Sequence, residues 1–318
     1  MIRPMKTSPR KLFEIADFLQ IENDSKLLIS GICSDSRLVE PGDLFLALPG
    51  ERTHGITFLD TALEHGASAI LTDSQGASLA SKKIGALPLI VAPNLTSKLA
   101  ELADWFYDGP SSKMMLYGIT GTNGKTTSSY LLNQIWTLAN IKPTGLIGTV
   151  AIMAGDQSWR AERTTPTNDQ LQGILARMAE GGIDRAVMEV SSHALVQERV
   201  KNVKFDAVGF TNLSQDHLDY HKNMENYYLA KRLLFSQEYA EAAFINIDNG
   251  YGKRLFSETS IKAHSLSVSD EADWNYKEYR RVNSHYQIEI RSKAGNSISG
   301  KFPLLGRHNL ENLLLAVA

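Results

Sequence analysis

Apolar residues along the chain follow two rhythms. Short unbroken runs such as Ala69-Ile70-Leu71-Thr72, Leu89-Ile90-Val91 and Ala186 to Val190 are separated by stretches in which apolar side chains return every three or four residues. The first rhythm predicts strands buried on both faces, and the second predicts amphipathic helices. Their alternation predicts an α/β fold with a mostly parallel sheet covered by helices. In the N-terminal part, helices are expected over Leu12 to Leu19, Phe58 to Glu64 and Leu95 to Tyr107. Strands are expected at Gly31 to Cys33, Leu44 to Leu48, Ala69 to Thr72 and Leu89 to Val91. Further along, strands are expected at Met114 to Ile119, Gly145 to Val150, Ala186 to Val190, Ala207 to Phe210 and Ala242 to Ile247. Val282 to Ile290 alternates apolar and polar residues and reads as one antiparallel strand of a small accessory sheet, and Asn309 to Ala318 reads as a helix. Turn-forming residues concentrate at Asp108-Gly109-Pro110-Ser111-Ser112, which divides the chain into a small α/β domain (residues 1–110) and a central domain (residues 111–318).

Composition narrows the classes. With 43% hydrophobic and 21% charged residues among 318, the chain has material for substantial cores, which excludes a disordered or fibrous protein. Lys and Arg number 33 against 35 Asp and Glu, so the charge balance points to no nucleic-acid partner and no anionic membrane surface, leaving small anions open. Cys33 is the only cysteine, which rules out an internal disulfide and suits a reducing compartment. The first residues lack the apolar core of a signal peptide and no run approaches a membrane span, so a cytoplasmic protein is expected.

The chemistry concentrates first in Gly118-Ile119-Thr120-Gly121-Thr122-Asn123-Gly124-Lys125-Thr126-Thr127, placed between an expected strand and an expected helix. Glycines let main-chain N–H groups converge on phosphate oxygens, the helix N-terminus adds partial positive charge, Lys125 adds a full one, and the Thr126 hydroxyl is a Mg²⁺ ligand type. A nucleoside triphosphate is the natural occupant. Five residues separate Gly118 from Gly124 where the usual pattern has four, with Ile119 where its first glycine would stand.

Three later clusters follow strands or lie in helices. Glu189 sits at the end of a strand, where a carboxylate would share Mg²⁺ with a phosphate, or would simply occupy the turn into the helix beside Ser191 and Ser192. The role of His193 stays open. His217 and His221 are four apart, which suits one helical face; Leu218 stands where a zinc protease needs glutamate, which argues against that class. Asp216 and Asp219 read as helix-start carboxylates. Judged locally, Lys231 and Arg232 form the solvated edge of an amphipathic helix.

Taken in order, these clusters resemble the Mur ligases, ATP-dependent enzymes that build the stem peptide of peptidoglycan. The matching stretches are TGTNGKTT (120–127), TTPT (164–167), EVSSHALVQERV (189–200), TNLSQDHLDYH (211–221), YLAKRLLF (228–235) and GRHNLEN (306–312). DSR (35–37) with PGDLFLALPG (41–50) resembles the uridine-binding domain of the member that adds a diamino acid to UDP-N-acetylmuramoyl-L-alanyl-D-glutamate. The resemblance runs from about residue 13 to the last residue and implies a uridine-binding domain followed by a P-loop NTPase-like central domain.

It also implies residue roles. Gly121, Thr122, Asn123, Gly124, Lys125, Thr126 and Thr127 would bind ATP, with Asn309 and Asn312 at the adenine. Thr126 and Glu189 would hold one Mg²⁺, and His217 with Lys231 a second; Lys231 would serve as a carbamate, which replaces an ammonium by an oxygen donor. Lys125, Lys231 and His217 would be catalytic. Ser36 and Arg37 would contact the uracil, and Thr164, Thr165, Ser191, Gln197 and Arg199 the sugar-peptide portion. The partners implied are the UDP-linked dipeptide, ATP and meso-diaminopimelate or L-lysine, acting on a monomer.

Members of the family carry a third, C-terminal domain that recognises the incoming amino acid, and on this reading the chain lacks it. The alternatives are a catalytically silent nucleotide- and substrate-binding module, or another amide ligase with the same central domain such as folylpolyglutamate synthase. The DSR and PGDLF stretches argue against the latter.

Overall fold

A computed structural model describes the chain apart from residues 7, 51, 81–84, 86, 140 and 142. The chain forms two compact units, Met1–Pro110 with Thr167–Glu180, and Ser111–Pro166 with Gly181–Ala318. The helix Asn168–Glu180, which lies within the expected central domain (residues 111–318), packs with the first unit.

The first unit is built on a four-stranded parallel sheet in the order Gly31–Cys33, Asp43–Ala47, Ala69–Thr72, Leu89–Val91. Successive strand residues point to opposite faces, and both faces are covered. Leu44, Leu46, Ala69 and Leu71 join Leu12, Ile15, Leu102, Phe106 and Ala176 in one cluster. Phe45, Ala47 and Ile70 join Cys33, Ile56 and Leu59 in another. The helix expected from Phe58 is preceded by a turn of 3₁₀ helix at Gly55–Phe58, where His54 Nδ1 accepts from the Ile56 N–H at 3.1 Å.

The second unit contains one eleven-stranded sheet. Its parallel centre runs in the order Gly145–Ile147, Arg185–Glu189, Met115–Thr120, Phe205–Phe210, Ala240–Asn246, Lys262–Ser267. Antiparallel strands extend both edges: Ala151–Ala154 and Gln157–Arg160 on one side, and on the other Trp274–Val282, which pairs parallel with Lys262–Ser267, then His285–Ser292 and Ser297–Phe302. This corrects two expectations. The strand begun at Gly145 stops at Ile147, because Gly148 turns the chain back, its N–H donating to Ala151 O at 3.1 Å. Val282 to Ile290 is two strands joined at Asn283-Ser284, with Asn283 left-handed (φ 53), and they continue the main sheet rather than forming a separate one. The helices Lys125–Leu138 and Arg307–Val317 pack against each other and contribute Trp136, Leu310 and Leu314 to a core that includes Ile119, Val187 and Leu266. Thr120, Glu189, Phe210 and Asn246 end parallel strands on the same sheet edge, where loops of such sheets gather ligands. Among the described residues no helix is long and apolar enough to cross a membrane.

Candidate functional site

The phosphate-loop stretch leaves the strand Met115–Thr120 and enters the helix Lys125–Leu138 through two glycines that no other residue could replace without rearrangement. Gly121 has φ 149, and a Cβ there would stand 1.8 Å from Thr211 Oγ1; Gly124 caps the helix at φ 88, and a Cβ there would stand 2.2 Å from Asn312 Oδ1. The loop between them is laced to the segment following the next strand. Thr122 N–H donates to Asn212 O at 2.9 Å, and Asn123 N–H to Asn212 Oδ1 at 3.1 Å. Asn123 O accepts from Thr211 Oγ1 at 2.6 Å and Asn212 Nδ2 at 3.1 Å. Thr122 Oγ1 also lies 3.2 Å from the Tyr227 hydroxyl.

Two lysines converge on one carbonyl. Lys125 Nζ donates to Gly121 O at 2.8 Å and to Thr122 O at 2.9 Å, while Lys231 Nζ donates to the same Gly121 O at 2.9 Å. Lys231 is 2% exposed and lies 4.8 Å from the centroid of the Tyr227 ring. The solvated edge expected locally for Lys231 is thus overturned, because Tyr227 and the loop from another part of the chain cover it; Arg232 does stay partly exposed. Burial, and then the neighbouring Lys125 charge, push the Lys231 amine well below the ordinary lysine range. Burial also lowers Lys125, with Glu189 and Asp216 opposing the shift.

Glu189 ends its strand fully buried. Its carboxylate accepts from Thr126 Oγ1 at 2.8 Å, Thr149 N–H at 2.9 Å and Thr149 Oγ1 at 3.0 Å. Hard oxygens from the phosphate loop and a buried carboxylate are therefore already in contact, which is the donor chemistry Mg²⁺ takes. Thr149 had no assigned role in the sequence; its place at the turn closing a parallel strand beside Glu189 is the signal that would have found it. Thr211 and Asn212, within a stretch that sequence reasoning singled out, emerge as the clamp on the loop.

Thr165, Ser191, Gln197 and Arg199 form one network that reaches Glu189 through Thr165. Thr165 Oγ1 donates to Glu189 O at 2.8 Å and accepts from Ser191 N–H at 3.1 Å. Arg199 donates through Nη1 to Thr165 O at 3.0 Å and through Nη2 to Gln197 Oε1 at 2.5 Å, and Thr164 Oγ1 accepts from Thr149 Oγ1 at 3.1 Å. The Ser191 hydroxyl caps the following helix at Ala194 N–H. Thr127 lies in the first turn of the phosphate-loop helix.

The two histidines do not share a helical face. His217 precedes the helix Leu218–His221 in a left-handed conformation (φ 52), with its ring half exposed beside Asp216. His221 is buried, its Nε2 2.9 Å from Ser192 Oγ. Both rings pack on His193, with centroids 4.8 Å and 5.5 Å away. Burial and the surrounding cationic groups hold His193 and His221 below the usual imidazole range. Asp216 Oδ1 accepts from His217 N–H at 2.9 Å, and Asp219 lies in the first helical turn. Among the described residues, no group of three or more His, Cys, Asp and Glu is arranged to hold a metal.

Asn312 is buried and meets the phosphate-loop helix, its Oδ1 accepting from Ser128 Oγ at 3.3 Å, whereas Asn309 Nδ2 is turned to Leu305 O at 2.7 Å. In the first unit, Ser36 is buried and the Arg37 side chain is 71% exposed, gripped by Asp35 at 2.9 Å and 2.6 Å.

Comparison with known proteins gives two family matches: "Mur ligase middle domain" over residues 119–318, and "Mur ligase family, catalytic domain" over residues 28–107. UDP-N-acetylmuramoyl-L-alanyl-D-glutamate--2,6-diaminopimelate ligase of Streptomyces coelicolor is 40% identical over 318 residues, covering 99% of this chain and 62% of the relative. The enzyme of the same name from Listeria monocytogenes is 38% identical, covering 93% and 60%. The chain thus spans about three fifths of the length of the curated relatives it matches. A solved structure of a ligase of that name superposes with a TM-score of 0.76 at 27% identity, covering 97% of this chain and 63% of the other. The MurF ligase of Thermotoga maritima in complex with ADP shares the fold, with a TM-score of 0.62 at 19% identity over 90% of this chain and 61% of the other.

Proposed function

The chain belongs to the Mur ligase family, and from that membership we propose that it carries the nucleotide- and UDP-substrate-binding parts of an ATP-dependent amide ligase of peptidoglycan precursor synthesis. The acceptor is UDP-N-acetylmuramoyl-L-alanyl-D-glutamate, and the relatives' names favour 2,6-diaminopimelate as the amino acid added. The observation that carries the reading is the contact of Thr126 with the buried Glu189 carboxylate at a loop on which Lys125 and Lys231 converge.

In the first step the substrate carboxylate oxygen attacks the γ-phosphorus, the bond from phosphorus to the β,γ-bridging oxygen breaks, and ADP leaves an acyl phosphate. In the second, the amine attacks the acyl carbon, phosphate departs and the ammonium proton is lost, leaving an amide. Both reactants of the first step are anions, so charge neutralisation dominates. Lys125 would exchange its two main-chain carbonyls for the β- and γ-phosphate oxygens, and Thr211 and Asn212, by holding Thr122 and Asn123, fix the backbone that leads into the amides of the following helix turn. Thr126 and Glu189 would hold one Mg²⁺, which supplies charge screening at the phosphates. Lys231 suits carbamate formation: its burial and the neighbouring Lys125 charge favour the neutral amine, the nucleophile that adds to CO₂ with loss of a proton. As a carbamate it would join His217 at a second ion. Arg199 and Gln197, with Thr165 and Ser191, would orient the peptide carboxylate, the planar guanidinium pairing two oxygens at once.

The test follows the oxygen. With the acceptor carboxylate labelled with ¹⁸O, phosphate release should require both acceptor and diamino acid, and the released phosphate should carry the label. ATP hydrolysis indifferent to the acceptor, or unlabelled phosphate, would contradict the reading.

A further inference from the structure

We infer that Asp169 is a positioning residue for the loop Ser34 to Arg37, fixing it for the uridine diphosphate end of the substrate; this rests on the reading of Ser36 and Arg37 as substrate contacts. Asp169 lies in the stretch matched to the middle-domain family, yet its helix, Asn168–Glu180, packs within the first unit against the helix Leu95–Phe106 and the strand Gly31–Cys33. That strand is at the edge of its sheet, and Ser34 is the first residue beyond it. An edge leaves main-chain N–H groups without a neighbouring strand to accept them. Asp169 Oδ2 accepts the Ser34 N–H at 2.7 Å.

The carboxylate is 0% exposed, and so is Gln172 one turn further along the same helix. Asp169 Oδ1 and both amide atoms of Gln172 are buried without a hydrogen-bond partner among the described residues. Unpaired polar atoms in a packed interior oppose folding, and an apolar side chain would avoid that cost. Stability alone therefore does not account for a carboxylate here, whereas a fixed Ser34 does. Within the loop, Asp35 Oδ1 accepts from Arg37 N–H at 3.1 Å, Asp35 grips the guanidinium, and Cys33 Sγ donates to Asp35 O at 3.2 Å. The Asp169 bond ties this local turn to an element distant in sequence, so displacement of Ser34 carries Ser36 and Arg37 with it.

The experiment compares the chain with Asp169→Asn, which keeps a carbonyl oxygen for Ser34, and with Asp169→Leu and Asp169→Ala, which remove it. UDP affinity is measured by calorimetry, ADP affinity on the same samples serves as control, and hydrogen exchange reports the Ser34 amide. UDP binding should weaken about tenfold or more in the leucine and alanine variants, the scale of a lost hydrogen bond to a charged group, and change by less than about threefold in the asparagine variant. ADP affinity should be unchanged, and Ser34 should lose protection in the leucine and alanine variants while the neighbouring strands keep theirs. Unaltered UDP binding in both apolar variants overturns the inference, and so does an asparagine variant as weak as the leucine one. If the parent chain binds no UDP, the substrate reading fails instead, and Ser34 exchange still decides whether the clamp exists.

Discussion

The phosphate loop and the Ser34 to Arg37 loop both leave the carboxyl ends of parallel strands, but they are held in opposite ways. Gly121 to Gly124 is pinned along its length by Thr211, Asn212 and Tyr227, and its cations are folded onto its own carbonyls. The first-unit loop is built on a local Asp35 turn and tied to a distant helix at Ser34, with the Arg37 side chain largely in solvent. On the proposed reading, a site that places amides around a polyphosphate has its geometry set in advance, whereas a loop that presents a long cation is held at its base. Substitutions in the first site should therefore disturb both the fold and the chemistry, while those in the second should alter affinity alone.

The largest effect expected is from Lys231→Ala, which removes the buried amine at Gly121 O and should lower acceptor-dependent phosphate release by about a thousandfold. Near-parental turnover would remove Lys231 from the mechanism. Gly121→Ala comes next. Its Cβ would overlap Thr211 Oγ1 at a backbone angle that side chains rarely adopt, so a loss of about 3 kcal/mol in denaturant unfolding is expected, partly restored by adding Thr211→Ala. No destabilisation would show the loop to be less tightly laced than its contacts imply. In the other loop, Arg37→Ala should weaken UDP binding about tenfold and leave the unfolding midpoint in place, since its ion pair is exposed. A shifted midpoint would erase the contrast.

The smallest effect concerns Cys33, at the base of that loop. Burial, and then the Asp169 carboxylate, push its thiol up to about 12. Because the folded value lies above the unfolded one, its contribution to stability is complete below about pH 8.5 and is lost as pH rises towards about 12. Unfolding followed across that range should show a decline that Cys33→Ser diminishes, and the thiol should resist alkylation at pH 8 until denaturant is added.

The parallel centre of the large sheet was legible because its strands are contiguous apolar runs, buried on both faces whatever their neighbours. The hairpin about Asn283-Ser284 was not, since alternation of period two continues through a two-residue turn and conceals it. The alternation of strands and helices implied a helix between the strands at Gly145 and Ala186 but carries no information about which sheet its apolar face meets, so Asp169 passed without notice. The glycine-rich stretch stood out by residue type alone, whereas Lys231 read locally as solvated because part of what covers it, the loop at Gly121, lies about a hundred residues earlier. The spacing of His217 and His221 implied a shared face, which the left-handed turn at His217 undoes.

The central claim is that Lys125, Thr126 and Glu189 form one site for a metal-bound triphosphate. Calorimetric titration with a non-hydrolysable ATP analogue, with and without Mg²⁺, tests it most directly. Binding should depend on Mg²⁺ in the parent chain, be lost in Lys125→Ala, and lose most of its Mg²⁺ dependence in Glu189→Gln. Equal affinity with and without Mg²⁺, or undiminished binding in Lys125→Ala, would contradict it.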